Sequence, residues 1–324
     1  MTLLWKPLLS GTLPLDPATG DFRYDLIPFP VYASPKLDGF RSEVQGGVLL
    51  SRNGLPVKNH ELQERYGHKE YEGLDGELTD GPANGVDVFH RTSSVVKKAS
   101  ADASNVRMNV IDFVPDIKKG NGIVGHTASR DDLKIEDRQY YLRHAAVNWL
   151  PPHIHVIKQT VIKTVKQLKA YEAKILKQGY EGVMLRRADQ GIYPQKPGKE
   201  NRSTLNEFYL VRMKRFEQAE ATIVAVHPLK HNANEERTAT GARSSKKAGI
   251  VVDATKIGSA TLKDCKTGKL FDTNIGAARL RKWKGWHDER LWKGKVVRYR
   301  YQLCGTVNKP RINSCTFAEL EVPK

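Results

Sequence analysis

The sequence predicts a two-domain α+β protein, with a mixed domain over residues 1–216 and a smaller β-rich domain over residues 217–324. Two segments of the first domain, 130–149 and 160–178, have apolar residues at helical spacing, and short apolar runs bounded by turns surround them. From about residue 217 the helical patterns stop and short β-like runs recur. Such runs are typical of a small β-barrel.

The individual elements follow from periodicity and turn residues. Glycine and proline pairs separate the short strands of the first domain, and Gly or Pro ends its helices. Predicted strands in that domain are 31–33, 40–44, 48–51, 73–78, 106–114, 153–158, 181–186 and 207–214. Predicted helices lie near 61–66 and within 86–99, 130–149 and 160–178. Predicted strands of the second domain are 221–226, 249–254, 259–262, 295–303 and 315–320. Residues 231–248 are polar, and we expect them to form a mobile loop.

The charge of the chain favours a polyanionic partner. Lys and Arg number 53 against 36 Asp and Glu, which gives a net charge of +17. Residues 217–324 are the more basic part by density, with 21 Lys and Arg against 11 Asp and Glu. Nucleic acid is the commonest partner of such an excess, although a basic protein without that partner stays an alternative on charge alone.

Several protein classes are excluded. A hydrophobic content of 39% can build real cores, so the chain is not a disordered one. Cys265, Cys304 and Cys315 are too widely spaced for a disulfide framework or a zinc cluster, which fits a reducing, cytosolic setting. The N-terminus shows no signal-peptide pattern, and no stretch approaches the roughly 18 apolar residues of a membrane helix. We therefore expect no membrane partner.

One lysine stands at a turn that can support chemistry. Lys36 precedes an Asp-Gly turn between two predicted strands, and Arg41 follows on the second strand. A free lysine has a pKa near ~10.4 and is inert at neutral pH, but burial and a neighbouring cation lower that pKa. A neutral amine held in this way can attack phosphorus, while Arg41 can pair with phosphate through its planar fork. An ordinary hairpin with surface charges is the alternative interpretation.

Later strands and turns supply the acids and cations that such a lysine needs. Each of these residues could be a solvated surface charge by itself. Together they indicate one site in which carboxylates hold Mg²⁺, cations hold phosphates and apolar strand residues shape a base pocket. They are Arg52 at a turn, Glu77 on a strand edge, Glu181 and Arg186 at the two ends of a strand, and Arg212 and Lys214 on one face of another.

This order of motifs resembles the covalent nucleotidyltransferases, and most closely the ATP-dependent DNA ligases of the small bacteriophage type. The motifs are KLDGFR at 36–41, SRNG at 51–54, DGEL at 75–78, VIDF at 110–113, EGVM at 181–184 and VRMK at 211–214. The resemblance implies an adenylation domain of antiparallel sheets with helices over 1–216, followed by an OB-fold barrel over 217–324. It also implies an enzyme that seals 5′-phosphate/3′-hydroxyl nicks in duplex DNA through a lysine–AMP intermediate and adenylated DNA.

The resemblance assigns a role to each residue. Lys36 would be catalytic and would take AMP from ATP, and Glu77 and Glu181 would bind Mg²⁺ or Mn²⁺. The nucleotide-binding residues would be Ser34, Pro35, Lys36, Arg41, Arg52, Glu77, Ile111, Arg186, Arg212 and Lys214. The DNA-binding residues would be Arg41, Arg52, Lys246 and Lys247. Ile111 occupies the slot where many relatives stack an aromatic ring on adenine, and Phe113 is the nearby ring that could replace it.

Three alternatives stay open. An RNA ligase and a GTP-dependent mRNA capping enzyme share the lysine motif, and a basic DNA-binding protein without catalysis is the non-enzymatic alternative. The SRNG and EGVM motifs favour the DNA ligase. In that case we expect a monomer that binds nicked double-stranded DNA in the cytoplasm of a bacterial or phage-infected host cell, with a role in DNA replication, repair or recombination.

Overall fold

The computed structural model describes residues 5–85, 87–114, 133–191, 193–195, 200–236, 243–244, 246–274, 290, 292–302 and 311–314. The predicted strand at 315–320 lies outside these residues. The chain divides into two compact units, Met1–Lys214 and Arg215–Lys324. The first unit mixes helices with sheets, and the described part of the second is mainly strand, so the predicted α+β class is confirmed.

The strands of the first unit are short and are numbered along the chain. They are β1 (Gly11–Thr12), β2 (Val31–Lys36), β3 (Phe40–Gln45), β4 (Val48–Ser51), β5 (Leu74–Asp80), β6 (Val106–Phe113), β7 (Ile154–Val156), β8 (Thr160–Ile162), β9 (Gly182–Arg187) and β10 (Val211–Met213). The helices are α1 (His60–Tyr66), α2 (Val88–Val96), α3 (Ile135–Asn148) and α4 (Val165–Lys177).

These strands form two five-stranded sheets. The first has the order β1-β10-β9-β2-β8 and the second the order β4-β3-β5-β6-β7. Pairing is antiparallel, as the resemblance implies, except that β1 runs parallel to β10 and β6 runs parallel to β7. Each sheet buries one face in its own apolar core, with Leu78 and Met108 in the second sheet and Val31 and Leu185 in the first. The opposite face of each sheet is not packed in its core, so its side chains are available to form a binding site.

The second unit is built on one antiparallel sheet. Its strands are β11 (Glu217–Asn232), β12 (Ile250–Asp264), β13 (Leu270–Asn274), β14 (Val296–Gln302) and β15 (Arg311–Ser314), in the order β13-β12-β11-β14-β15. The two runs predicted at 249–254 and 259–262 belong to the single strand β12, because that strand pairs with β11 almost throughout its length. Closure into an OB-fold barrel stays a prediction.

Two predicted elements of the first unit differ from the structure. The helix predicted over 160–178 begins only at Val165, because the β-branched residues of β8 pair with β2 and Thr164 caps the helix by accepting the N–H of Gln167. The strand predicted over 207–214 is shorter and starts at Val211. Among the described residues, no helix is long and apolar enough to cross a membrane.

Candidate active site

Lys36 ends β2 and lies beside Glu181, the residue that precedes β9. The backbone N–H of Glu181 donates to the carbonyl of Lys36 over 3.3 Å, and Lys36 pairs with Gly182 in the sheet. A Cβ at position 182 would lie 2.3 Å from the carbonyl oxygen of Met213, so the close approach of the strands requires glycine. In this arrangement the Lys36 ammonium contacts the Glu181 carboxylate and donates to the carbonyl of Leu37 over 3.3 Å.

Lys214 contacts the same carboxylate. It follows β10, which pairs with β9, and its ammonium forms an ion pair with the second oxygen of Glu181. The Glu181 side chain is 2% exposed. Burial acts to raise the pKa of Glu181, but the ammonium groups of Lys36 and Lys214 outweigh burial and hold this pKa below its usual value. At neutral pH, Glu181 is therefore an ionised carboxylate that orients two lysines.

A second acid, Glu77 of the other sheet, interacts electrostatically with Lys36. Its carboxylate accepts the backbone N–H of Gly39 over 3.0 Å, and Glu77 pairs with Arg41 across β5 and β3. A Cβ at Gly39 would lie 2.4 Å from the carbonyl oxygen of Leu78, so this turn also requires glycine. Burial raises the pKa of Glu77, and the opposing charges of Lys36 and Arg41 offset burial only in part.

A cavity of about 180 Å³ lies beside Lys36 and Glu77. Its lining combines cations, one acid and aliphatic side chains, which suits a ligand with phosphates at one end and a base at the other. The lining residues are Leu8, Leu9, Ser10, Ser34, Pro35, Lys36, Leu37, Arg41, Arg52, Glu77, Ile111, Gln159, Met184, Arg186, Leu210 and Arg212. Every predicted nucleotide-binding residue is among them except Lys214, which contacts Glu181 instead.

Asp75 fixes Arg41 at the cavity wall. The guanidinium donates two hydrogen bonds of 2.7 Å to this fully buried carboxylate, which also accepts the hydroxyl proton of Tyr193 over 2.7 Å. The Tyr193 oxygen in turn accepts the N–H of Leu8 over 2.7 Å, which ties the N-terminal segment to the site. Burial acts against the charge of Arg41, but Asp75 raises its pKa above the usual value. Arg41 is thus charged and held in one orientation.

Asp112 fixes Arg186 in a comparable way. Arg138 of α3 donates to Asp112 over 2.8 and 3.2 Å, and Arg186 donates to the same carboxylate. Arg138 also donates to the carbonyls of Leu133 and Gly191 over 2.9 and 3.1 Å. Burial acts to raise the pKa of Asp112, but the two guanidinium groups hold it below its usual value. A buried charge network thus orients Arg186 at the cavity wall.

The apolar part of the cavity is aliphatic. Ile111 lines it together with Met184 and Leu210, and among the described lining residues there is no aromatic ring. Phe113 packs in the core of the second sheet and does not line the cavity, so the suggestion that its ring replaces Ile111 is wrong. Ile111 and Phe113 would share a face in a regular strand, but the register of β5 against β6 shifts next to Asp75, and beyond this shift Phe113 falls on the core side.

The predicted metal ligands Glu77 and Glu181 offer carboxylate oxygens, but Lys36 and Lys214 contact both oxygens of Glu181. No three His, Cys, Asp or Glu side chains of the described residues form a metal site by themselves. Glu77 and Glu181 are close enough for the charge of Glu181 to raise the pKa of Glu77. Mg²⁺ is commonly bound by one or two carboxylates together with substrate phosphates, and its binding by Glu77 and Glu181 stays a prediction.

The predicted DNA-binding residues lie in different units. Arg41 and Arg52 line the cavity of the first unit. Lys246 and Lys247 belong to the second unit, where Lys247 is exposed and Lys246 forms an ion pair with Glu236 at 2.5 Å. Contact of these four residues with DNA stays a prediction.

The sequence did not predict two parts of the site: an N-terminal segment that lines the cavity, and a helical arginine that supports Asp112. Leu8, Leu9 and Ser10 line the cavity although their segment carries only the proline and glycine pattern of an extended lead-in. Arg138 sits on a helix whose periodicity gives no sign that one arginine points inward. A signal was available only at Asp112, an acid within the apolar run 110–114, because a buried carboxylate requires a cationic partner.

Comparisons with known proteins agree with this geometry. The family model described as "ATP dependent DNA ligase domain" matches residues 24–205, which is more than half of the chain. No curated protein sequence matches the chain.

Solved structures of DNA ligases match this chain over most of its length. A Lig E DNA ligase, described as binding DNA with a minimal scaffold, is 20% identical with a TM-score of 0.63 over 96% of this chain and 98% of that one. Chlorella virus DNA ligase-adenylate is 25% identical with a TM-score of 0.49 over 97% of this chain and 100% of that one. The ATP complex of bacteriophage T7 DNA ligase is 12% identical with a TM-score of 0.45 over 96% and 97%. Of these three, only the Lig E structure has a TM-score above 0.5, and the similarity in fold rests on it.

Proposed function

Because the chain belongs to the ATP-dependent DNA ligase family, we propose that it seals 5′-phosphate/3′-hydroxyl nicks in duplex DNA through an adenylated Lys36. Members of this family are enzymes that form phosphodiester bonds, and ATP supplies their AMP. The observation that carries the proposal is the contact of Lys36 with Glu181 at the wall of a cavity lined by arginines. We further propose that the protein acts as a monomer in the cytoplasm.

The first step places AMP on Lys36. The Nζ lone pair forms a P–N bond with the α-phosphorus of ATP while the bond from that phosphorus to pyrophosphate breaks. Lys36 must lose a proton before it attacks; we assign this proton to a phosphate oxygen of the bound ATP, because Glu181 stays ionised and orients the amine. Lys214, drawn to the same carboxylate, is positioned to hold the α-phosphate, and Arg41 and Arg186 add fixed positive charge.

The later steps use the same cavity. An oxygen of the nick 5′-phosphate attacks the phosphorus of AMP, and the P–N bond to Lys36 breaks. The neighbouring 3′-hydroxyl then loses its proton and attacks the 5′-phosphorus, while the bond from that phosphorus to AMP breaks. Both are displacements at phosphorus, for which positioning and charge neutralisation supply most of the rate. Arg41 and Arg52 are the cavity arginines that we assign to the nick phosphate. Ile111, Met184 and Leu210 provide the apolar wall for adenine.

Glu77 and Glu181 are the residues that would hold Mg²⁺ together with phosphate oxygens. When bound, the metal ion would neutralise charge on the transferring phosphate. The protein residues themselves orient the lysine and exclude water. Lys246 and Lys247 are proposed to contact backbone phosphates from the second unit, because both are basic and Lys247 is exposed.

Covalent labelling tests the proposal directly. The protein is incubated with Mg²⁺ and α-labelled ATP, and label on the protein is measured. We expect stable label on the wild-type protein and none on Lys36→Ala. A matched control is Lys58→Ala, since Lys58 is an exposed lysine that does not line the cavity.

The nucleotide and the nucleic acid are then varied. Label from GTP but not from ATP would overturn the proposal in favour of a capping activity. Label from ATP with sealing of nicked RNA and no sealing of nicked DNA would identify an RNA ligase. Binding of DNA without any label would indicate the non-enzymatic alternative.

A further inference from the structure

A second cavity, of about 810 Å³, lies in the first unit where β5 ends and β6 begins. Its charged and ionisable lining comes from four elements. Arg91 lies on α2, Arg107 on β6 and Asp80 on β5. His155 lies on β7, and His153 immediately precedes that strand. None of these residues belongs to the motifs that the resemblance explains, so the cavity needs an interpretation of its own.

The sheet register places the second cavity on the face that carries the active site. Arg107 pairs with Thr79, Glu77 pairs with Asn109, and Asn109 pairs on its other side with His155. Directly paired residues point to one face of a sheet, so Arg107 and His155 share the face of Glu77. Two residues along a strand span about 7 Å, which equals the rise of roughly two nucleotides of a DNA strand.

The two imidazoles are not satisfied by the protein. The Nε2 atoms of His153 and His155 are buried and have no hydrogen-bond partner among the described residues. Buried polar atoms are normally paired, and each orphan indicates a missing partner. Both histidines line the second cavity, so a ligand in this cavity is a candidate for the missing partner.

The electrostatic environment of these imidazoles is positive. Burial lowers the pKa of both, Arg65 of α1 lowers that of His153 further, and Arg107 lowers that of His155 further. The guanidinium of Arg91 also lines the cavity, and Asp80 is the carboxylate among the lining residues. Arginines outnumber the carboxylate, so the cavity favours an anion over a cation. In agreement, no three His, Cys, Asp or Glu side chains of the described residues form a metal site.

We propose that Arg91, Arg107 and the two imidazoles bind a backbone phosphate of the DNA strand, a few nucleotides from the phosphate that reacts at Lys36. The proposal rests on the proposed function, because it assumes that nicked DNA covers the face of Glu77. It adds a sequence-independent grip that fixes the register of the strand over the active site. The volume of the cavity leaves room for the neighbouring sugar.

Binding at this site is coupled to protonation. His155 is hydrogen-bonded to the backbone of Pro152, which leaves Nε2 as the nitrogen for the ligand. Burial opposes protonation of both imidazoles, Arg65 and His155 oppose that of His153, and Arg107 opposes that of His155. Arg91 and Asp80 are the other charged groups that line the cavity. A phosphate offsets this repulsion, so protonated imidazole is favoured in the complex. Nick binding therefore takes up protons and tightens as the pH falls from about 7.5 towards 6.

The test measures label transfer and DNA binding on the same variants. Arg107→Ala and His155→Gln are compared with the wild-type protein and with Lys174→Ala, which removes an exposed charge of α4 on the other sheet. Lysine labelling from α-labelled ATP is the first readout. The affinity for a nicked duplex, measured against salt concentration and at pH 6 and 7.5, is the second.

We expect all variants to take label like the wild-type protein. Arg107→Ala should bind the nick roughly 3- to 10-fold more weakly at physiological salt and lower the slope of log K against log salt by about 1. His155→Gln should reduce the gain in affinity at pH 6, and Lys174→Ala should match wild type. If Arg107→Ala and His155→Gln take label but show the salt slope and pH dependence of the wild-type protein, the phosphate site is overturned and the proposed function is not. Loss of label in Arg107→Ala would also overturn the phosphate site. A wild-type protein that takes no label would instead overturn the proposed function.

Discussion

Glu77 and Glu181 act on the same lysine from two sheets, but their charge environments are opposite. Glu181 is buried against two ammonium groups, and its pKa lies below the usual value. Glu77 is hydrogen-bonded to one backbone N–H, and its pKa lies above the usual value. The same residue type therefore serves as a permanent anion in one place and as an easily protonated acid in the other. The difference comes from the number of cations in contact, because burial acts on both in the same direction.

The two acids therefore have different roles. Glu181 keeps Lys36 and Lys214 in position before the nucleotide binds, and it carries its charge throughout the neutral range. Glu77 gains from any added positive charge, such as a metal ion, because that charge would lower its pKa and stabilise the carboxylate. We therefore assign the positioning of the lysines to Glu181 and the response to ligand and pH to Glu77.

Removing the permanent anion should have the largest effect. In Glu181→Gln the two ammonium groups lose their shared partner and repel each other, so Lys36 is no longer aimed at the α-phosphorus. We expect the initial rate of label transfer from ATP to fall roughly 10³-fold. The control is Glu64→Gln, an exposed acid on α1. A Glu181→Gln rate within threefold of wild type would show that the ion pairs are dispensable.

Replacing the protonatable acid should have a smaller effect and should change the pH profile. We expect Glu77→Gln to lower the rate of labelling roughly 10²-fold. In the wild-type protein the active carboxylate is lost as the pH falls through the raised pKa of Glu77, which gives an acid limb above the usual value of 4.5. Labelling rates between pH 5 and 8 should show this limb in wild type and not in Glu77→Gln. A limb that persists in the variant would assign it to another group.

Lys214→Met tests whether the number of neighbouring cations causes the difference in pKa between Glu181 and Glu77. The variant leaves Glu181 with one ammonium partner, so its pKa should rise towards that of Glu77. We expect labelling to slow roughly 10-fold and a second acid limb to appear. The control is Lys174→Met on the surface of α4. If the rate drops without any change in the acid limb, then Lys214 acts on the phosphate alone and does not control Glu181.

The sequence was informative where chemistry and local structure coincide. The strands around Lys36 follow from their apolar runs and Asp-Gly turn, and the residues that share a motif are brought to one cavity. Helix α4 was predicted too long, because the β-branched residues at 160–162 suit both a helical stripe and a strand, and pairing with β2 decides between them. The supports of Arg41 and Arg186 were not predictable, since Tyr193 and Arg138 reach their acids across many residues of intervening chain.

A third acid, Glu43 on β3, is also buried, and its pKa is raised as that of Glu77 is. Replacing it should have the smallest effect of the substitutions considered, and that effect should be on stability. Burial, and next the charge of Asp75, raise its pKa to about 9 from a usual value of 4.5. Its Oε1 accepts an N–H of Gln45 over 3.1 Å, and its Oε2 has no partner among the described residues. Folding therefore favours the protonated acid, and this contribution to stability is complete below about 4.5 and lost as the pH rises through about 9.

Glu43→Gln keeps the size of the side chain and cannot ionise. We expect its Tm to equal that of wild type at pH 5 and to exceed it by a few degrees at pH 9, where the wild-type carboxylate must ionise inside the sheet or unfold. Thermal unfolding at pH 5, 7 and 9 measures this, with Glu64→Gln as an exposed control. Parallel curves for Glu43→Gln and wild type would mean that Glu43 finds a compensating cation when it ionises. A growing gap would show that Glu43 has no compensating cation, unlike Asp75 and Asp112 on the same sheet.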